Sequence, residues 1–131
     1  MVYPAISAVY AALVAGVFLV LSARVISYRR RALISLGDGD DLDLRQRMRA
    51  QANCAEYAPL ALLLLVILDM QGAAGWVLHG LGALLLTGRI LHAVGFSQPR
   101  ILMTFRVIGT VMTTTMIAIT AILILLRGLS A

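Results

Sequence analysis

Long apolar runs alternate with short polar breaks along the whole chain. The first run, from Ala5 to Ala23, is almost uninterrupted and matches the ~20 residues a helix needs to cross the hydrocarbon layer of a bilayer. It predicts a helix from about Pro4 to Arg29, since proline is acceptable in a first turn. A turn-prone, hydrated break follows, with Gly37, Gly39, Asp38, Asp40, Asp41 and Asp43. The second helix is expected to start near Leu42 to Arg45 and to end by Gly72, and the third to run from about Ala73 to Gly95. After the break at Ser97-Gln98-Pro99, the fourth runs from about Arg100 to Leu126. The pattern predicts an all-α fold, an integral membrane four-helix bundle in which residues 1–131 form a single domain.

One stretch breaks the pattern. From Arg45 to Pro59 the second helix reads R-Q-R-M-R-A-Q-A-N-C-A-E-Y-A-P, and the apolar run after it, residues 60–68, is too short to span by itself. Helical periodicity puts Arg45, Arg49, Asn53, Glu56 and Tyr57 on one face and turns Ala50, Cys54 and Ala58 away from it. Ionisable groups in a membrane helix cost several kcal/mol unless paired or wetted, so such a stripe marks a functional site. The plainer alternative is an interfacial belt of snorkelling arginines with a structural Glu–Arg pair. Pro59 is expected to bend the helix beside the polar face and widen the site.

The third helix carries Gly75, Gly80, Gly82 and Gly88, which let helices approach closely in lipid, and then Arg89 and His92 at i, i+3. In the fourth, Thr110, Thr113 and Thr120 are expected to bond mainly to their own backbone, whereas Arg106 falls well inside the helix.

Composition sharpens this picture. Hydrophobic residues make up 61% of the chain, which excludes an ordinary soluble domain. The net charge of +5 comes entirely from arginine on the basic side; the arginines sit at segment ends, so membrane topology accounts for them and nucleic-acid binding does not. The lone Cys54 gives no disulfide, redox or zinc pattern, and the acidic loop lacks the terminal Glu of a calcium-binding EF-hand, so no metal site is expected. The first run has neither a basic segment before it nor an A-x-A-like cleavage site, and reads as a retained helix. Of the eleven arginines, Arg24, Arg29, Arg30, Arg31, Arg45, Arg47, Arg49, Arg89, Arg100 and Arg106 lie at the first and third connections, leaving only Arg127 on the other side. The positive-inside rule then places both connections in the cytoplasm and both termini outside, for a bacterial inner membrane. Arg30, Arg49, Asn53, Glu56, Arg89, His92 and Arg106 come to one depth, from all four helices. Several guanidiniums, one carboxylate, one amide and one imidazole suit a small zwitterionic, peptide-like anion.

The same residues carry a family resemblance. R-A-Q-A-N-C-A-E-Y-A-P-L resembles the second-helix signature of the MAPEG family, membrane-associated proteins of eicosanoid and glutathione metabolism; V-I-S-Y-R-R, G-R-I-L-H-A-V-G-F and F-R-V-I-G extend the resemblance across the chain. It implies a homotrimer that binds glutathione, as co-substrate, in clefts between subunits, and acts as a glutathione-dependent transferase or peroxidase on apolar electrophiles delivered by membrane lipid. Carried over by position, Arg30, Arg49, Asn53, Glu56 and Tyr57 would contact glutathione, with Gln51 and Arg89 supporting and His92 at the ligand end of the third helix. Arg106 would sit beside the thiol as the catalytic group, with Arg100 the alternative because the third and fourth helices align with a small gap. A free thiol ionises near pH ~8.5, and a fixed guanidinium favours the thiolate, the nucleophilic form. Where the leukotriene-synthase branch has two tyrosines this chain has His92 and Phe96, which argues against eicosanoid substrates. Two other functions stay open: a non-catalytic lipid-binding scaffold of the same fold, and a small proton-coupled exporter using Glu56.

Overall fold

Four helices carry the apolar runs: α1 (Ala5–Ala32), α2 (Leu42–Met70), α3 (Gly75–Gly95) and α4 (Met103–Leu129). They come from a computed structural model that describes residues 3–96 and 102–129. Each helix is long and apolar enough to cross a membrane, and their limits lie within about three residues of those read from the polar breaks. Ser97, Gln98, Pro99 and Arg100 lie outside the described residues.

The ends of the helices are held by specific groups. Asp41 caps α2, its Oδ1 accepting the Leu44 N–H at 3.0 Å, and its other oxygen accepts the Tyr28 hydroxyl of α1 at 2.9 Å. Beside it Asp38 accepts Arg45 Nε and the Asp40 N–H. The acidic loop is thus consumed in capping and in pairing with Arg45. Gly37 (φ 68°) and Gly39 (φ 59°) supply the left-handed turns there. At the opposite end Asp69 of α2 is buried and caps α1 across the bundle, accepting the Ser7 N–H at 2.9 Å and the Ser7 hydroxyl at 2.8 Å. That bond satisfies an N–H in the first turn of α1 that has no partner in its own helix. At the same end Arg127 closes α4 onto the end of α2, donating to the Gln71 and Gly72 carbonyls.

These contacts fix an up-and-down topology. Ser7 meets Asp69 and Tyr10 meets His79 at one end, while Arg29 meets Met48 and Arg106 crowds Gly95 at the other. In cross-section α1 packs on α2 and α3, and α4 packs on α2 and α3; α2 and α3 also touch, while α1 and α4 do not. The core is hydrocarbon from all four, including Val14, Leu21, Leu65, Leu68, Leu78, Leu85 and Met116. The outer faces are equally apolar, with Leu19, Val20, Leu63, Val111 and Ile122 exposed. Such a surface suits lipid as solvent and not water. Tyr3 and Trp76, exposed at the Ser7–Asp69 end, sit where aromatic residues line a membrane boundary.

Candidate functional site

The polar groups meet where α2, α3 and α4 converge toward the arginine-rich end. The approach depends on two glycines. A Cβ on Gly109 would lie 2.5 Å from the Gly88 carbonyl oxygen and 2.7 Å from the His92 nitrogen, so α3 and α4 touch backbone to backbone. The residue after Gly88, Arg89, is thereby held inside the bundle, only 2% exposed. Its Nε donates to Thr113 Oγ1 at 3.0 Å, Nη1 to Asn53 Oδ1 at 2.8 Å and Nη2 to the Gly109 carbonyl at 3.4 Å. The Tyr57 ring lies 5.7 Å from the guanidinium carbon. The two ion pairs among the described residues both use Arg45, so no carboxylate meets the Arg89 charge there. Neutral acceptors and an aromatic face carry it.

One helical turn on, His92 is buried against Phe96, ring centroids 5.2 Å apart, and the Arg106 guanidinium lies over the same Phe96 ring at 4.0 Å. Arg106 Nη1 reaches Met103 Sδ at 3.9 Å, and its Nε has no hydrogen-bond partner among the described residues. Asn53, His92, Met103, Arg106, Val107, Thr110 and Val111 line a pocket of about 250 Å³. It offers a guanidinium, an imidazole and an amide on one side and methyl groups on the other.

The stripe read from sequence divides on this frame. Asn53 and Tyr57 turn partly inward; Arg45, Arg49 and Glu56 are exposed, while Ala50, Cys54 and Ala58 are buried. Arg45 pairs with Asp38 and Asp40 of the loop, so it belongs to the connection. No Glu56–Arg ion pair occurs among the described residues. Gln51 points to α1, its Nε2 donating to Ser22 Oγ at 2.9 Å. Arg30 is exposed and lines a separate hollow with Ile26, Arg29 and Leu33. The single chain therefore gathers Asn53, Tyr57, Arg89, His92 and Arg106, and leaves Arg30, Arg49, Gln51 and Glu56 elsewhere. Pro59 does not open onto the pocket: α2 is continuous through it, and it lines an apolar groove against α1 with Cys54, Ala58 and Phe18.

Thr113 and Gly109 are the partners that sequence reasoning did not assign. Thr113 bonds its own backbone as expected, donating to the Gly109 carbonyl at 2.9 Å, and this aims its oxygen's free lone pair at Arg89. The signal was present as a glycine four residues before a threonine on the helix that carries Arg106.

Comparison with known proteins decides the family. The family model described as the MAPEG family matches residues 7–126. The chain belongs to the MAPEG family. The resemblance read from the second-helix signature is borne out. Inner membrane protein YecN of Escherichia coli strain K12 is 36% identical over 91 residues, 70% of each chain. The same protein of E. coli O6:H1 strain CFT073 matches with the same figures. The MAPEG match takes in parts of all four helices, including every residue of the pocket.

Proposed function

We propose that the protein is a glutathione-dependent membrane transferase or peroxidase that works as a homotrimer in a bacterial inner membrane. The observation that carries this reading is Arg106: a guanidinium lining a pocket beside His92 and Asn53, its buried Nε without a hydrogen-bond partner among the described residues, in a chain of the MAPEG family. Arg106 stabilises the thiolate of glutathione, and Asn53, positioned by Arg89, holds part of the peptide. The groups that face away complete the cleft in trans. Arg30 and Gln51 lie toward α1, on the other side of α2 from the pocket, where a neighbouring copy's pocket can reach them. Arg49 and Glu56 then bind the charged ends of the peptide, and the apolar electrophile enters from lipid along the methyl-lined wall of Val107 and Val111. The name of the E. coli relative supports the membrane assigned, and the arginine bias supports a cytoplasmic site with both termini outside.

Glutathione titration by calorimetry, run with ultraviolet detection of the thiolate, tests the reading. Arg106→Gln should lose the thiolate signal while keeping most of the affinity, because it acts on the charged sulfur. Arg49→Gln or Glu56→Gln should weaken binding itself, by about 2–5 kcal/mol where half of a desolvated pair is left. Wild type with no saturable binding at millimolar glutathione would remove the transferase reading and leave a lipid-binding scaffold as the use of this fold.

A further inference from the structure

On the side of the bundle opposite the pocket, a groove of about 390 Å³ lies between α1 and α3. Its walls are Gly16, Val17, Val20, Leu21, Ile90, Ala93 and Val94, with Arg24 at the arginine-rich end. Gly16 opens it, since a Cβ there would meet nothing within 4 Å. About 20 helical residues cover the hydrocarbon thickness, so an α1 that enters lipid at Ala5 brings Arg24 to the boundary with the headgroups. Arg47 of α2 adds positive charge at Arg24, and Arg29, Arg30 and Arg31 follow on the same helix. A hydrocarbon slot that ends in a guanidinium at headgroup depth matches one kind of molecule in shape and charge.

We propose that the α1–α3 groove binds an anionic glycerophospholipid, one acyl chain lying along Gly16, Val20, Ile90 and Val94 with the phosphate-bearing headgroup on Arg24. A second copy of the chain is the competing occupant. The groove lies across the bundle from the α2–α4 side that holds the polar pocket, and Arg49 and Glu56 are exposed on α2. Copies that associate through α2 to cover those charges leave the α1–α3 side to lipid. The inference does not depend on glutathione chemistry.

The test is native mass spectrometry of the full chain in mild detergent with equimolar phosphatidylglycerol and phosphatidylcholine of identical acyl chains. Wild type should retain the anionic lipid about fivefold over the zwitterionic one, the size of one basic side chain's interaction with an anionic membrane surface. Arg24→Gln should bring the ratio to about one and Arg24→Lys should keep it, while Val20→Trp, which fills the slot, should reduce retention of both lipids. Equal retention by wild type overturns the proposal. So does a preference that survives Arg24→Gln, which would assign the headgroup to the exposed Arg30 and Arg31. Retention unchanged by Val20→Trp would show the slot empty, and a disulfide between copies carrying Val20→Cys would show a second copy in it. Should Arg24→Gln fail to fold, the comparison of wild type with Val20→Trp still decides.

Discussion

Arg89 shows at the scale of one residue how this chain keeps a charge inside a membrane bundle. Three neutral oxygens, from Thr113, Asn53 and Gly109, hold its guanidinium, and no carboxylate among the described residues neutralises it. Removing an acceptor should therefore hurt more than an ordinary polar deletion. Asn53→Leu leaves the guanidinium one bond short and should cost about 1.5–3 kcal/mol, the range for hydrogen bonds to charged groups. The double variant Asn53→Leu, Arg89→Met should cost less than the two single costs added, because the orphaned charge has gone. Denaturant unfolding in detergent measures all three, and additive losses would show that Asn53 and Arg89 are not coupled. The acidic loop obeys different rules, being solvent-facing. Asp38 is held below the usual carboxylate range by Arg45 and then by the Asp40 N–H; Asp41 is held low by the Leu44 N–H and then by the Tyr28 hydroxyl. Both folded values lie under the unfolded value of ~3.9, so their stabilisation is complete above it and is lost as pH falls through the folded values. Hydrogen exchange at Leu44 and Arg45, corrected for intrinsic rates, should be flat between about pH 7 and 5 and should accelerate below about pH 4. Protection that stays constant to the lowest pH would mean that Asp41 does not hold the first turn of α2.

At the scale of elements, the sequence showed which segments are helices but not how they are rotated against one another. Uninterrupted apolar runs and arginine-rich ends made the helix limits legible, since the bilayer imposes both. Which glycines touch was not legible. The third helix was rich in glycine throughout, yet only some of these glycines lie at crossings: Gly88 meets Gly109 backbone to backbone, Gly82 lies under the Tyr10 ring, and Gly80 meets nothing within 4 Å. The difference sets a test. Gly109→Ala puts a methyl against backbone atoms that cannot move alone, so α4 must shift from α3; such overpacking costs about 1–3 kcal/mol. Gly80→Ala fills open space on an exposed helix face and should stabilise by about 0.5–1 kcal/mol. Thermal midpoints should therefore order Gly80→Ala above wild type above Gly109→Ala, and an unchanged midpoint for Gly109→Ala would refute the close crossing that places Arg89.

At the scale of the whole molecule, the polar stripe was legible because charge in a membrane helix is costly, but its division was not. Periodicity placed Arg49, Asn53, Glu56 and Tyr57 on one face; packing by Ala50, Cys54 and Ala58 then set α2 so that Asn53 and Tyr57 turn in while Arg49 and Glu56 stay exposed. Neither of these two charges makes an ion pair among the described residues, although the helix that carries them is apolar enough to span. Gln51 reaches Ser22 of α1, so these charges lie near the level of Arg24, at the edge of the hydrocarbon, where a charge costs less than the about 2.5–3.5 kcal/mol it costs at the centre of a membrane helix. In the trimer proposed above, association through α2 would give these charges partners and would bring α1 of one copy toward α4 of the next. This has a direct test, because α1 and α4 do not touch within a protomer and any disulfide between them must join two chains. In a Cys54→Ser background, the pair Ile26→Cys and Val111→Cys uses exposed positions on α1 and α4 toward the arginine-rich end. Oxidation in mild detergent should give covalent dimers and trimers for the double variant, and each single variant should stay uncrosslinked. Light scattering of the unoxidised protein should give the mass of three chains. A monomer that forms no crosslink would leave Arg30 and Gln51 out of reach of any pocket. Glutathione binding would then have to rest on Asn53, His92 and Arg106 alone, with affinity insensitive to Arg30→Gln.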